Sequence, residues 1–245
     1  MITLYAADSP NVLKIYLALE ELGLTYDAQP VDVMAGENFS PDFVRLNPNA
    51  KIPVIVDQDG PNGQSLTIFE SGAILMYLAE KSGKLLPVEL PERYRVLEWL
   101  MVQMSGFGPI FGQLCHFHLF APNVSDYAHS RYSTLTHRIL GAFETRLGEA
   151  EWLGGGSYSI ADIATFPWTR SLVRIFGPAV EGDYPKLTQW AAKIASRPAT
   201  LRAIAAIEKI GKVTTSPSDV SKDVLDLVFG RGVHARGIAS RSALG

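Results

Sequence analysis

The chain has 245 residues, 47% hydrophobic and 19% charged, with a net charge of −3. That is a globular balance, long enough to bury a core in one large domain or two smaller ones, and it does not suit a nucleic-acid scaffold. Cys115 is the only cysteine, which excludes an internal disulfide and a cysteine-based metal cage and suits a reducing compartment such as the cytosol.

The first residues have no basic region leading into an apolar run, so a signal peptide is not expected, and no apolar stretch is long enough to span a bilayer. Residues 2–6 are short, apolar and bounded by a polar turn, as in a buried strand. A helix follows, with Ser9 as N-cap and Pro10 in its first turn. Val12, Ile15, Tyr16, Leu19 and Leu22 recur at helical spacing up to Gly23. Residues 26–33 read as a second strand, which Pro30 places at a sheet edge or beside a bulge. Residues 53–56 and 66–69 read as two more strands around a polar turn, and 71–81 as a helix.

After 84–90 the strand signals fade and helical periodicity takes over. The expected domains are therefore 1–83, mixed strand and helix, and 91–210, all helical, with 84–90 as linker and 211–245 as a tail. Helices are expected over 91–104, disturbed by Gly106, Gly108 and Pro109, and over 125–147. A third opens at Ser159, whose capping box has Asp162 in place of the usual Glu, and Pro167 is expected to kink it. Residues 184–196 and 199–210 complete the bundle. Within the tail only 220–229 looks helical.

Two short segments point to chemistry. In Lys51-Ile52-Pro53-Val54 the proline is either an edge device or follows a cis bond. A cis bond would turn the Ile52 backbone groups outward, toward an extended, peptide-like ligand. In Phe69-Glu70-Ser71-Gly72, Ser71 is either a plain helix cap or part of a site. Free N–H groups at a helix start, with a hydroxyl, can hold a carboxylate, and Glu70 can accept from an ammonium. Together these would fit the head group of an α-amino acid.

These segments in this order resemble the glutathione S-transferases over roughly residues 1–210. The resemblance rests on N-P-N-A-K-I-P-V-I-V, F-E-S-G-A-I-L-M-Y-L-A-E-K and S-I-A-D-I-A. The segments S-P-N-V-L-K-I-Y-L-A-L-E-E and W-L-M-V-Q-M-S-G-F-G-P-I-F-G-Q are most similar to the Nu class. That class includes bacterial disulfide-bond reductases, and the same segments are also similar to the yeast nitrogen-regulator prion protein. The resemblance implies an α/β plus all-α architecture: an N-terminal thioredoxin-like domain and a C-terminal helical bundle with a second-substrate cavity. It implies a cytoplasmic homodimer that uses glutathione as co-substrate, without metal, nucleic acid or membrane.

Residue roles follow by position. Ile52, beside Pro53, would pair with the cysteinyl part of glutathione. Glu70 and Ser71 would hold the γ-glutamyl end, and Lys51 and Asn38 the glycine end and backbone. Arg131 would reach the same ligand from the helical domain. It shares a spacing with Leu135, Ile139 and Phe143 that directs it toward an apolar face. Ser9 and Asn11 would stabilise the glutathione thiolate, because a free thiol has a pKa of about 8.5 and a helix N-terminus favours an anion. Tyr5 lies inside the strand and is expected to be packed. Phe107, Phe111, His116, Phe117 and Trp168 are candidate cavity walls. Cys115, His116 and His118 have no second ligand pair, so no metal site is expected there.

The activity expected on this basis is glutathione-dependent thiol–disulfide or peroxide reduction, through a stabilised thiolate. Conjugation or cleavage of a small aromatic electrophile and a non-catalytic binding or regulatory role remain as alternatives.

Overall fold

The computed structural model describes residues 1–231; the rest of the expected tail, 232–245, lies outside the described residues. By its internal contacts the chain divides into two compact units. The first comprises residues 1–19, 23–74 and the chain from Arg202, and the second 20–22 and 75–201. This division falls after Ile74, inside a helix, and not at 84–90 where the sequence pattern changes.

In the first unit, strand β1 (Ile2–Ala6) leads into helix α1 (Pro10–Leu22) and back to β2 (Tyr26–Pro30). A short helix α2 (Pro41–Leu46), strands β3 (Val54–Asp57) and β4 (Leu66–Phe69), and helix α3 (Ser71–Ser82) follow. The sheet order is β2-β1-β3-β4. Strand β1 runs parallel to β2, with Ile2 opposite Tyr26, and antiparallel to β3, with Tyr5 opposite Val54. The edge place of β2 is what lets it end on Pro30.

Helix α1 is set by its ends. Ser9 Oγ accepts from the Asn11 N–H at 3.2 Å, Pro10 occupies the first turn, and Gly23 closes the helix at φ +67°. Between them every residue from Val12 to Leu19 is buried, so the helix is covered all round and not on one stripe.

Two elements differ from the sequence pattern. Strand β2 stops at Pro30, three residues early, because its partner β1 ends at Ala6. The Val31 N–H still reaches the Ala6 carbonyl at 2.8 Å before the chain turns away. Helix α2 was not expected, being too short to show a period. Ser40 caps it and Pro41 starts it. Its Phe43 closes a small apolar cluster with Val31 and Val54, on which Tyr5, Leu46 and Ile52 pack.

The second unit is helical: α4 (Leu90–Met101), α5 (Gly108–Leu119), α6 (Asp126–Glu149), α7 (Ile160–Thr169), the short α8 (Leu172–Phe176) and α9 (Val180–Asp183), and α10 (Pro185–Ala195). Helix α11 (Pro198–Gly211) begins in this unit and ends in the first. Where the sequence suggested a break near Gly106, the helical path continues from α4 to α5 through a π-turn, Val102–Phe107. Gly108 follows it because a Cβ there would stand 2.9 Å from Gln103 Nε2, and Pro109 is tolerated in the first turn of α5.

Two residues expected to line a cavity are core instead. Phe107 and Phe111 are fully buried and stack at 5.4 Å, with Phe143 edge-on to Phe107 at 5.2 Å. Trp168 packs against Phe111, and it is half-buried, as are His116 and Phe117.

The capping box of α7 is present and extends beyond the helix. Asp162, fully buried, accepts from the Ser159 N–H and hydroxyl on one oxygen, and from Leu153 N–H and Trp190 Nε1 on the other, all within 3.0 Å. One carboxylate thus joins a helix start, a loop and α10. Replacing it leaves several buried donors without an acceptor. Asp162→Ala is expected to lower unfolding free energy by about 3 to 5 kcal/mol, read from the urea midpoint at unchanged slope.

Candidate active site

The first unit contains a cleft of about 560 Å³, within the range of ligand sites. Of the residues singled out from the sequence, Ser9, Asn11, Asn38, Lys51 and Ile52 line it. Pro53, Glu70 and Ser71 do not, and Arg131 belongs to the second unit.

Two buried asparagines support the loop that borders the cleft, and one of them, Asn38, lines it. Asn47 accepts from the Asn49 N–H at 2.9 Å and donates through Nδ2 to the Lys51 carbonyl at 2.7 Å. Asn38 donates through Nδ2 to the Ala50 carbonyl at 2.9 Å. These side chains satisfy a loop that no strand pairs with, and they hold Ala50 in the left-handed region at φ +52°. The Ile52–Pro53 bond is cis. The backbone groups of Ile52 make no hydrogen bond among the described residues. Asn38 Oδ1, buried in the lining of the cleft, likewise has no partner there. The loop therefore presents unsatisfied peptide-type groups to whatever enters.

At the start of α1, Ser9 Oγ is engaged as acceptor by the Asn11 N–H. Its own O–H makes no hydrogen bond among the described residues. One hydroxyl can therefore cap the helix and donate into the cleft at once. No acidic residue sits in the first turn of α1, so the positive end of the helix dipole is left for an anion, though exposed Asp8 borders the cleft just before it. Tyr5 packs edge-on to Phe43 at 6.1 Å and lies outside the lining.

A second cluster forms at the turn from β4 into α3. Glu70 takes φ +69°, a left-handed conformation rare for a side chain of its size and common at ligand sites. Ser71 is buried and is the first helical residue. Its Oγ accepts from Lys14 Nζ at 3.3 Å.

The N-terminal domain of glutathione S-transferase matches residues 1–80, and the C-terminal domain of that family matches residues 121–198. The chain belongs to the glutathione S-transferase family. It is 46% identical over 206 residues to the disulfide-bond oxidoreductase YfcG of Escherichia coli, covering 83% of this chain and 94% of that one. Among solved structures it is similar to a glutathione transferase of Burkholderia graminis with two glutathione molecules bound per subunit. The TM-score is 0.80 at 42% identity, covering 84% of this chain and 88% of that one. A glutathione transferase of Pseudomonas putida with glutathione disulfide bound matches with TM-score 0.78 at 42% identity, over 83% and 90% of the two chains.

Within this transferase fold, Lys14 is the residue that sequence reasoning missed. It is 1% exposed, in the fully buried stretch of α1. Burial pushes its ammonium down to about 7, an effect that nearby Glu70 partly offsets. The signal available in the sequence was negative: a lysine amid apolar residues on a helix reads as a side chain that escapes to water.

Arg131 departs from its expected setting. It is exposed on α6. Each step of four residues rotates a helix by about 40°, so three steps carry Phe143 about 120° away from Arg131. The buried line of α6 is Thr136, Leu140 and Phe143. Cys115 is half-buried, and burial raises its thiol to about 11 despite Arg174 nearby. It is therefore a protonated thiol at neutral pH. Among the described residues no group of three potential metal ligands forms.

Lys14 has a consequence for stability. Its folded pKa, about 7, lies below the value near 10.5 of a free lysine. The penalty for burying the charge is complete below pH 7 and is relieved as pH rises from 7 to 10.5. Lys14→Met is expected to raise the melting temperature, by more at pH 6 than at pH 9. An equal gain at both, or a loss, would contradict the assignment.

Proposed function

We propose that the chain is a glutathione-dependent disulfide-bond reductase, with the thiol end of glutathione at the start of α1. The observation that supports this most is that Ser9, Asn11, Asn38, Lys51 and Ile52, drawn from separate segments, line one cleft. The Ile52 N–H and C=O pair with the cysteinyl residue of the tripeptide. Asn38 and Lys51 engage its backbone and glycine carboxylate. Glu70 accepts from the γ-glutamyl ammonium, while the Ser71 hydroxyl and the α3 N-terminus take the carboxylate. Arg131 is assigned to the same ligand on family resemblance alone.

Ser9 and Asn11 donate to the sulfur and favour the thiolate. The thiolate attacks one sulfur of a disulfide R–S–S–R′. A glutathione–S–S–R bond forms, the S–S bond of the substrate breaks, and R′–S⁻ leaves and takes up a proton. A second glutathione thiolate then attacks the mixed disulfide, releasing R–S⁻ and glutathione disulfide. Two glutathiones are oxidised and one disulfide is reduced, with no other electron carrier. Cys115 has no part in this, because its thiol is held protonated. The relatives bound to two glutathiones or to glutathione disulfide support this stoichiometry.

The working form in this reading is a cytosolic homodimer. The single cysteine suits that compartment, and closed twofold pairs are the commonest oligomers. Light scattering at micromolar concentration should give twice the 26.8 kDa chain mass; a monomer mass overturns the pairing.

The reading is tested by titrating reduced glutathione calorimetrically, then assaying turnover with bis(2-hydroxyethyl) disulfide and with an aryl halide. The disulfide is expected to be the better substrate. Glu70→Ala is expected to weaken glutathione binding about ten- to a hundredfold, the loss of one charge-assisted hydrogen bond. Equal affinity of wild type and variant removes Glu70 from the site. Turnover of the aryl halide alone replaces reduction with conjugation.

A further inference from the structure

Two sources of positive potential meet at the turn from β4 into α3. One is the start of α3 itself, whose first helical residue is Ser71. The other is Lys14, which reaches this turn from α1 across 57 positions and donates through Nζ to Ser71 Oγ at 3.3 Å. Both residues are buried, Lys14 at 1% exposure and Ser71 at 4%. A cation at a helix start faces the positive end of the dipole, and a buried one has also lost its water. Packing alone would favour a hydrocarbon in that place. Glu70 is the charged side chain whose field supports the Lys14 ammonium. In the proposed function, however, the Glu70 carboxylate is committed to the ammonium of the ligand. The positive charge that remains calls for an anion.

Ser71 connects the lysine to such an anion. A hydroxyl has two lone pairs and one proton to give, so an oxygen that accepts from Lys14 on one side can still donate on another. A carboxylate held by that hydroxyl stands one group beyond the Lys14 ammonium, in a buried setting where charges act strongly on one another. Burial leaves Lys14 with a pKa of about 7 in the free protein. A carboxylate on Ser71 favours the ammonium and raises that value. Above pH 7, therefore, the lysine gains a proton as the ligand binds, whereas at pH 6 it is already charged. No histidine precedes residue 116, so Lys14 is the group of this cluster placed to take up that proton.

We propose that Lys14 is a positioning residue for the γ-glutamyl end of glutathione, orienting the Ser71 hydroxyl and serving as counter-charge to the carboxylate that this hydroxyl holds. This rests on the reading that Ser71 takes that carboxylate. Lys14 acts through Ser71 and has no part at the sulfur. Binding of the tripeptide is thereby coupled to the uptake of a proton by the protein, independently of the proton that the thiol loses.

The test is calorimetric titration of the full-length protein with S-methylglutathione, in phosphate and in Tris, whose heats of ionisation differ. The methylated sulfur has no proton to lose, so the difference between buffers reads the protons exchanged elsewhere. At pH 8 wild type is expected to take up about 0.5 to 1 proton per bound ligand, and at pH 6 about 0.1. Lys14→Met is expected to take up less than about 0.2 at pH 8 and to bind about five- to thirtyfold more weakly. The rise in melting temperature expected of this variant shows that it is folded, and the contrast between pH 8 and pH 6 in wild type stands without it. Wild type that binds with no uptake at pH 8, or an uptake that persists in Lys14→Met, overturns the role of Lys14 and leaves the glutathione reading standing. Failure of wild type to bind S-methylglutathione overturns both.

Discussion

Two buried asparagines fix the loop that borders the cleft. A loop that offers its backbone to a ligand must leave some peptide groups unpaired, and an unpaired buried peptide group is costly. Asn47 and Asn38 resolve this locally. They bond the carbonyls of Lys51 and Ala50 on one side of Ile52, so the loop is fixed without using the groups of Ile52 itself. The left-handed Ala50 and the orphan Asn38 oxygen are the residue of strain that remains. The cleft is polar where peptide groups are needed because side chains have replaced a strand as the loop's support.

The same trade recurs under α3. A lysine buried between apolar neighbours opposes stability at neutral pH, and a hydrocarbon of similar length would pack there more comfortably. Lys14 nevertheless donates to Ser71, at the turn where Glu70 is held in a left-handed conformation. A buried lysine on α1 and a glutamate in a left-handed conformation thus meet at Ser71, the residue that the proposed reading assigns to the γ-glutamyl end. This is the usual relation between a site and the stability of the protein that carries it.

What was legible in the sequence was local. Ser9, Pro10 and Gly23 fix both ends of α1, and Ser159 with Asp162 fixes the start of α7, through contacts spanning a few residues. The strands were placed to within a few residues for the same reason. What could not be read depends on partners far along the chain. Thr215 finds Asp32 across 183 positions and lines the cleft, so nothing local in the tail marked its place there. Lys14 is buried because α1 is covered all round, which a single helix cannot announce. Phe107 and Phe111 look like cavity walls until their stacking partners are known. Arg131 shows how a four-residue spacing, followed too far, rotates off the face it began on.

The central claim is that the start of α1 holds glutathione sulfur as a thiolate. It is tested most directly by the thiolate absorbance of the bound glutathione against pH, in wild type, Asn11→Ala and Ser9→Ala. Each unit of pKa corresponds to about 1.4 kcal/mol of preference for the thiolate. The account predicts a bound thiol about one to two units below the free value of about 8.5, moving back toward it when Asn11 or Ser9 is replaced. A bound thiol that titrates as it does free in solution, or one that stays depressed in both variants, would contradict it.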